Sequence, residues 1–249
     1  MNKKSIQNFG RGVLYSIWTG GAFVLTSVVI VGLPIGYFAS DSFYNWLMTP
    51  LGSLALATTI YLVATAIAVL IPFIVRHVSR ETALVELGVS KWLNFRMAGR
   101  AVVVWLMYFF TTAVVSAILT AIQIPGLNLE QKQSLGFEQL SGIFAYIAAF
   151  VLLVVLAPIF EELLFRGYLF GAIRARNNFW VSAILTSFTF ALMHGQFNVG
   201  IDVFILSLFL CYLRERTQTI WPGILVHALK NGMAYTLLFI VPLYGIHLF

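Results

Sequence analysis

Two adjacent glutamates, Glu161 and Glu162, lie inside a long apolar stretch, and Arg166 follows four residues after the second. An ionisable side chain at membrane depth is costly and rarely persists without a partner or a function. On a helix, Glu162 and Arg166 share one face and can form an ion pair, whereas Glu161 points about 100° away from them. The pattern therefore predicts one carboxylate that is neutralised for structural reasons and one that is left for chemistry.

Three further polar side chains are candidates to act with Glu161. They are His194, His227 and Asn231, and the last two are four residues apart and so share a helix face. A carboxylate beside an imidazole can take a proton from water, and a second imidazole and an amide can donate hydrogen bonds to an oxyanion. These residue types indicate hydrolysis of a peptide bond without a covalent intermediate.

Two other mechanisms use the same part of the chain. A nucleophile mechanism is disfavoured because no Gly-x-Ser-x-Gly motif occurs and Cys211 has no evident partner. Zinc is possible, with Glu161, His194 and His227 as ligands. However, His-Glu-x-x-His is absent and Asn231 is a poor zinc ligand, so the favoured hypothesis requires no cofactor.

The elements that must position these residues are membrane-spanning helices. Of the 249 residues, 60% are hydrophobic and 10% are charged, against about 25% charged in soluble domains. The sequence predicts an all-α, polytopic bundle of about seven spans (six to eight), with the active site inside the bundle. The predicted spans lie near 13–38, 51–75, 101–124, 139–174, 179–196, 197–213 and 220–246. The first is too long for a signal peptide and is expected to be retained.

The basic residues predict the orientation of the spans. Although the net charge is +6, Lys and Arg are spread over the ends of apolar stretches, which argues against nucleic acid as a partner. Basic and non-basic loops alternate, which places the N-terminus, 76–100, 174–178 and 214–219 in the cytoplasm. Within the first of these loops, residues 79–93 read as an amphipathic segment at the membrane surface.

The segment 139–174 is too long for one perpendicular crossing, since 36 residues make ~54 Å of helix. It either tilts and protrudes or breaks near Pro158, and a break would leave backbone carbonyls free beside the glutamates. Measured along the helices from the nearest basic turns, Glu161 and His194 lie ~20–23 Å deep, and His227 and Asn231 lie ~12–18 Å deep. The four polar side chains are therefore expected in one layer.

Three motifs together resemble the CPBP group of intramembrane proteases, which includes CAAX prenyl endopeptidases of the Ras-converting type and bacteriocin-processing and abortive-infection proteins. In this sequence they read Glu161-Glu162-Leu-Leu-Phe-Arg166, Phe190-Ala-Leu-Met-His194 and His227-Ala-Leu-Lys-Asn231. The resemblance covers about 139–246. It implies a catalytic helical core at 139–249. For 1–138, which shares only a general multi-helix character with the family, the residues predict transmembrane helices, a cytoplasmic amphipathic loop and a polar linker at 125–138.

The resemblance also implies roles for the candidate residues. Glu161, helped by His194, would activate water, while His227 and Asn231 would stabilise the oxyanion. The ion-paired glutamate and arginine would hold the site together. Members of this group were long classed as metalloproteases, but these residues favour the glutamate-type mechanism. Lys230, next to Asn231, departs from the family pattern, and this departure bears only on how polar the entrance to the site is.

The leading hypothesis is an integral protein of a prokaryotic inner or plasma membrane that cleaves a membrane-associated or lipidated peptide or protein. Its expected partners are lipids and that substrate, not nucleic acid. One alternative is a non-catalytic membrane immunity or scaffold protein. Another is a transporter that uses the glutamate as a proton relay, although no internal repeat is found and a transporter needs no oxyanion donors.

Overall fold

The computed structural model describes residues 3–123 and 140–245, which contain helices and no strand. The predicted linker 125–138, and with it the predicted division between 138 and 139, lies outside these residues. Nine helices are found in the described part of the chain. They are α1 Lys3–Phe38, α2 Asp41–Leu47, α3 Pro50–Val75, α4 Arg80–Glu86, α5 Phe95–Ile122, α6 Ile143–Arg174, α7 Phe179–Leu192, α8 Phe197–Thr217 and α9 Trp221–Tyr244.

Six of these helices, α1, α3, α5, α6, α8 and α9, are long and apolar enough to cross a membrane, and α7 is a shorter apolar helix. This confirms the predicted all-α polytopic architecture. The ends differ from the prediction where charged residues extend a helix beyond its apolar run. Thus α5 begins at Phe95, not at 101, because Asn94 caps it by accepting a 3.0 Å hydrogen bond from the Met97 N–H.

The predicted span 179–196 is shorter in the structure. Helix α7 ends at Leu192, and Gly195 in the following turn has a φ of 68°, a left-handed conformation that glycine adopts without steric cost. His194 therefore lies in a turn, not at the end of a helix. The 14 residues of α7 make only ~21 Å of helix, whereas the hydrocarbon core of a bilayer is ~30 Å thick.

The chain forms two compact units, and each is built from three separate stretches. In the described residues, the first unit contains 3–20, 79–123 and 162–226, and the second contains 21–78, 140–161 and 227–245. The division of α6 falls between Glu161 and Glu162.

The first unit has its core where α5 packs against α8. Buried residues of the two helices form one cluster: Ala101, Val104, Tyr108, Ile205, Leu206, Leu210, Leu213 and Val226 of α9. The Tyr108 hydroxyl also donates a 2.5 Å hydrogen bond to Oδ1 of Asp202. Packing and interhelical hydrogen bonds of this kind hold helices together in lipid, where the hydrophobic effect gives little.

The segment 79–93, which contains α4, is part of the first unit and is bonded to other helices of that unit. The Arg214 guanidinium donates a 2.9 Å bond to the Glu86 carbonyl, and the Thr219 hydroxyl bonds to the Gly88 carbonyl at 2.8 Å. Trp92 packs on Trp221 with ring centroids 4.1 Å apart. These contacts hold the segment against the end of α8 and the start of α9, while its predicted place at the membrane surface stays a prediction.

The second unit contains α3, the first half of α6 and most of α9. Its core includes Ala149, Leu152 and Val154 of α6 together with Tyr235 of α9. The Tyr235 hydroxyl donates a 2.9 Å hydrogen bond to the Tyr146 carbonyl. This contact holds α9 against α6. The candidate site residues of the second unit lie on α3, α6 and α9.

Candidate functional site

Glu161 is held by a tyrosine from a different helix. The Tyr61 hydroxyl, on α3, donates a 2.6 Å hydrogen bond to Oε1 of Glu161. The Tyr61 ring stacks on Phe160 with centroids 5.6 Å apart and planes 6° apart. The Phe23 ring lies edge-on to the Tyr61 ring. Stacking limits how the tyrosine can turn, so this bond fixes one oxygen of the carboxylate.

The second carboxylate oxygen of Glu161 faces an imidazole. His227 Nε2, on α9, lies 3.7 Å from Oε2, and the side chains of His227 and Glu161 are 3% and 15% exposed. This distance is longer than a hydrogen bond, for which ~3.2 Å is the usual upper limit. Catalytic contacts are often long in the empty site and tighten when substrate binds. The structure thus brings two of the predicted residues, Glu161 and His227, together within one unit.

Pro158 changes the winding of α6 and thereby gives Asn231 a partner. The helix is π-helical at Val151–Leu156, and the Ala157 N–H bonds to the carbonyl five residues earlier, that of Leu152. The next bond in this register would run from Pro158 to Leu153, but proline has no N–H to donate. The Leu153 carbonyl instead accepts a 2.8 Å hydrogen bond from Nδ2 of Asn231.

Of the two alternatives for the long segment, a break at Pro158 is therefore wrong, because α6 continues with altered winding. The freed carbonyl that a break was expected to leave does exist, and the amide of Asn231 satisfies it. An amide nitrogen carries two hydrogens, so this bond leaves capacity for a second acceptor. Deviations of this kind from α-helical winding are common at functional sites.

Glu162 and Arg166 form a fully buried ion pair in the first unit. Nη1 of Arg166 lies 2.7 Å from Oε1 of Glu162, and both side chains are 0% exposed. The guanidinium also lies over the Phe190 ring, with Cζ 4.5 Å from the centroid. The predicted pairing is thus present, and the aromatic ring of the second motif covers its cation.

The same phenylalanine positions His194. The Phe190 carbonyl is 2.8 Å from Nδ1 of His194, and the two ring centroids are 4.8 Å apart. A carbonyl oxygen only accepts, so Nδ1 carries the hydrogen and Nε2 is the acceptor when the ring is neutral. Phe190 therefore makes two contacts within the first unit: its ring lies over the Arg166 guanidinium, and its carbonyl orients the His194 ring.

The predicted site residues are divided between the two units. The first unit contains Glu162, Arg166 and His194, and the second contains Glu161, His227 and Asn231. The roles assigned to them stay predictions. Tyr61 was not predicted, although a tyrosine near the middle of an apolar span needs a partner for its hydroxyl when buried, and that requirement is the signal that could have identified it.

The residues near Glu161 meet only part of the requirement for zinc. Within neither unit do three His, Cys, Asp or Glu side chains of the described residues lie close enough to hold a metal ion. A catalytic zinc has three protein ligands, and Glu161 with His227 supplies two. The zinc-dependent alternative remains a prediction for a chelation experiment.

Comparison with known proteins identifies one family model and several similar sequences. The model of a family described as type II CAAX prenyl endopeptidase Rce1-like matches residues 143–233. A Bacillus subtilis (strain 168) protein named "Putative membrane peptidase YdiL" is 28% identical over 98 residues, 38% of this chain and 40% of that protein. The UPF0177 protein YaiH of Lactococcus lactis subsp. lactis (strain IL1403) is 30% identical over 139 residues, 55% of this chain and 54% of that protein.

This chain therefore spans about half the length of these relatives, 40% and 54%. No solved structure matches it at a significant level. The matched family region includes all three motifs, which confirms the resemblance inferred from them.

Proposed function

We propose that the chain is an intramembrane endopeptidase that hydrolyses a peptide bond of a membrane-associated or lipidated peptide or protein, with water activated by Glu161. One observation carries the proposal. The carboxylate of Glu161 is fixed at one oxygen by Tyr61 and faces His227 with the other, within helices apolar enough to span a membrane. The family match, and the name of the Bacillus subtilis relative, support the same class of reaction.

In the proposed reaction, Oε2 of Glu161 takes a proton from water, and the water oxygen bonds to the carbonyl carbon of the substrate. The carbonyl oxygen becomes an oxyanion, which a protonated Nε2 of His227 and the remaining hydrogen of the Asn231 amide stabilise. The C–N bond then breaks, and the proton on Glu161 passes to the leaving nitrogen. The products are a carboxylic acid and an amine, and water is the co-reactant that the reaction consumes.

Glu162 and Arg166 support the fold in this proposal, and His194 retains its predicted part in activating water. Single substitutions of Glu161, His227 and His194 test the proposed catalytic roles separately. Glu161→Gln and His227→Ala should abolish cleavage in a folded protein, since each removes a group that acts on the reacting atoms. His194→Ala should lower the rate strongly if its predicted role is correct.

The experiment uses the full chain purified in detergent. Two C-terminal CAAX peptides of identical sequence, one prenylated and one not, are incubated with the wild type and with Glu161→Gln, and cleavage is followed by mass spectrometry. Wild-type cleavage that is lost in Glu161→Gln supports the proposal. Equal cleavage by both proteins would overturn it. A Glu161→Gln variant that replaces the wild type fully in cells that lack the protein would favour the scaffold alternative.

A second arm of the experiment tests metal dependence. The wild type is treated with 1,10-phenanthroline and then supplied with Zn²⁺. Unchanged cleavage supports the glutamate-type mechanism, in which the carboxylate itself activates water. Loss of cleavage that zinc restores would replace it with the zinc-dependent version of the same protease.

For the location of the protein, we propose a prokaryotic inner or plasma membrane with the N-terminus in the cytoplasm. The support comes from the positions of Arg96 and Arg100 at the start of α5 and of Arg214 and Arg216 at the end of α8. Single cysteines at Arg80 and Ser40, in a Cys211→Ser background, test this orientation. An impermeant maleimide added to intact cells should label the cysteine at position 40 and not the one at position 80.

A further inference from the structure

A groove of about 980 Å³ lies on the first unit, formed by α5, α8 and the beginning of α7. Its volume is at the upper end of the ~300–1,000 Å³ that small-molecule sites occupy. Most of the lining is apolar and is contributed by residues such as Val103, Leu208 and Phe209. An elongated apolar molecule is therefore the kind of ligand that fits its walls.

The charges of the groove are all of one sign. Among its fourteen lining residues, Arg100 and Arg216 are the ionisable ones with a charge at neutral pH, and none is acidic. Neither arginine forms a salt bridge with a carboxylate of the described residues. The ligand therefore has an anionic group to complement them.

Both arginines lie at the same end of the groove. Arg100 is the sixth residue of α5, and Arg216 is the last but one of α8. The bond between Tyr108 and Asp202 lies after Arg100 along α5 and before Arg216 along α8, which is the order expected of two antiparallel helices that share this groove. The cationic end of the groove therefore coincides with a helix end, where headgroups begin.

The length of the groove matches one leaflet of a bilayer. From Arg100, the lining reaches Thr111 on α5, and on α8 it runs from Ile205 to Arg216. Twelve residues of helix span ~17 Å from the first Cα to the last. Half of the ~30 Å hydrocarbon core is ~15 Å. An acyl chain that starts at the level of the arginines would end near the middle of the membrane, where the groove also ends.

Two aromatic side chains mark the headgroup level. Tyr212 and Trp180 both line the groove. The Arg216 guanidinium lies over the Tyr212 ring, with Cζ 5.5 Å from the centroid, which places Tyr212 at the cationic end. Tyrosine and tryptophan concentrate at the membrane–water interface. Basic pockets between spanning helices on the cytoplasmic side are known to bind anionic headgroups.

We propose that this groove is a binding site for one anionic glycerophospholipid, whose phosphate lies between Arg100 and Arg216 and whose acyl chain lies along α5 and α8. A second copy of the chain is a poorer occupant of the groove, because a symmetric contact through this face would place the arginines of the two copies opposite each other. All residues that line the groove belong to the first unit, and lipid binding there does not depend on the proposed protease activity.

The experiment uses the full chain in detergent, with phosphatidylglycerol and phosphatidylcholine of identical acyl chains as probes, and native mass spectrometry as the measurement. The wild type should retain one phosphatidylglycerol in preference to phosphatidylcholine. Arg100→Gln/Arg216→Gln should weaken phosphatidylglycerol binding by about 30-fold, since each basic residue near an anionic surface contributes about fivefold. Arg96→Gln, an exposed position on α5 outside the groove, serves as the control and should bind as the wild type does.

A second pair of variants tests the apolar part. Val103 lines the groove and is 56% exposed, whereas its neighbour Val102 is 46% exposed and does not line it. Val103→Trp should displace the lipid, and Val102→Trp should not. Equal retention of both lipids by the wild type, or equal loss in the variant and its control, would overturn the proposal. Loss of a dimer in Val103→Trp without a change in bound lipid would assign the groove to a second copy instead.

Discussion

The Tyr61 hydroxyl donates a 2.6 Å hydrogen bond to Oε1 of Glu161, while its ring stacks on Phe160. Tyr61→Phe removes the bond and keeps the ring. We expect kcat to fall about 10- to 100-fold with little change in KM, since a hydrogen bond to a charged group contributes about 1.5–3 kcal/mol. Steady-state kinetics on the peptide that the wild type cleaves would measure both constants.

Tyr235→Phe is the matched control for this change. Its hydroxyl bonds to the Tyr146 carbonyl, so its removal should lower thermal stability in detergent without a selective effect on kcat. If the two phenylalanine variants lose activity equally, Tyr61 acts on the fold and not on the carboxylate.

Asn231 and Pro158 should be energetically coupled through the Leu153 carbonyl. Asn231→Leu removes the donor that satisfies this carbonyl, and the loss should destabilise the protein by about 1–3 kcal/mol. In a Pro158→Ala background, the new N–H can bond to the carbonyl, so the same substitution should cost less. Thermal unfolding of the four proteins of this cycle in detergent would give the coupling free energy, expected between about 0.5 and 3 kcal/mol.

A control for that cycle uses Pro50→Ala as the background. Pro50 is the first residue of α3, where a helix N–H has no partner within the helix, so no coupling with Asn231→Leu is expected. A coupling free energy of zero in the Pro158 cycle would show that the amide does not replace the missing backbone donor.

The ion pair of Glu162 and Arg166 should be costly to break on one side only. Arg166→Met leaves a buried carboxylate without its cation, which should destabilise the protein by about 3–5 kcal/mol. Glu162→Leu in addition should restore much of that loss, because apolar replacement of a whole buried pair is often tolerated. The midpoints of thermal unfolding in detergent would test this, and a double variant no more stable than Arg166→Met would contradict it.

Gly223 should be required for the close approach of Glu162. A Cβ at position 223 would lie 2.7 Å from Oε2 of Glu162, so Gly223→Ala must displace a carboxylate that is buried and paired. We expect a loss of about 1–3 kcal/mol of stability, as for other overpacked positions. Gly10→Ala is the control, since a Cβ there meets nothing within 4 Å, and it should not destabilise α1. Equal effects of the two substitutions would show that Glu162 adjusts freely.

The long apolar spans and the pairing of Glu162 with Arg166 were predicted correctly from the sequence. Apolar runs of spanning length identify helices almost without regard to packing, and a spacing of four residues places Glu162 and Arg166 together on any helix. The end of α7 was missed because the apolar run continues through Met193 without a break, while the helix ends at Leu192 and Gly195 adopts a positive φ in the following turn.

The contacts of Glu161 and Asn231 could not be derived in the same way. Tyr61 lies 100 residues before Glu161, and only the packing of α3 on α6 brings them together. The partner of Asn231 depends on a change from α- to π-helical winding before Pro158, which shifts the unsatisfied carbonyl by one residue. Proline alone predicts that a carbonyl is freed but not which one, since that depends on the register of the turn.

The shortness of α7 has a consequence for solvent. If α7 begins near one surface, as the basic residues of the preceding turn predict, its ~21 Å end well before the far side of a ~30 Å hydrocarbon core. Backbone that is not helical is tolerated at such a depth only where protein covers it or where it borders an aqueous cavity. Beyond the end of α7, the chain must therefore be covered by protein or border an aqueous cavity. Such a cavity would deliver the reactant that any hydrolytic enzyme consumes to a level where lipid tails ordinarily exclude it.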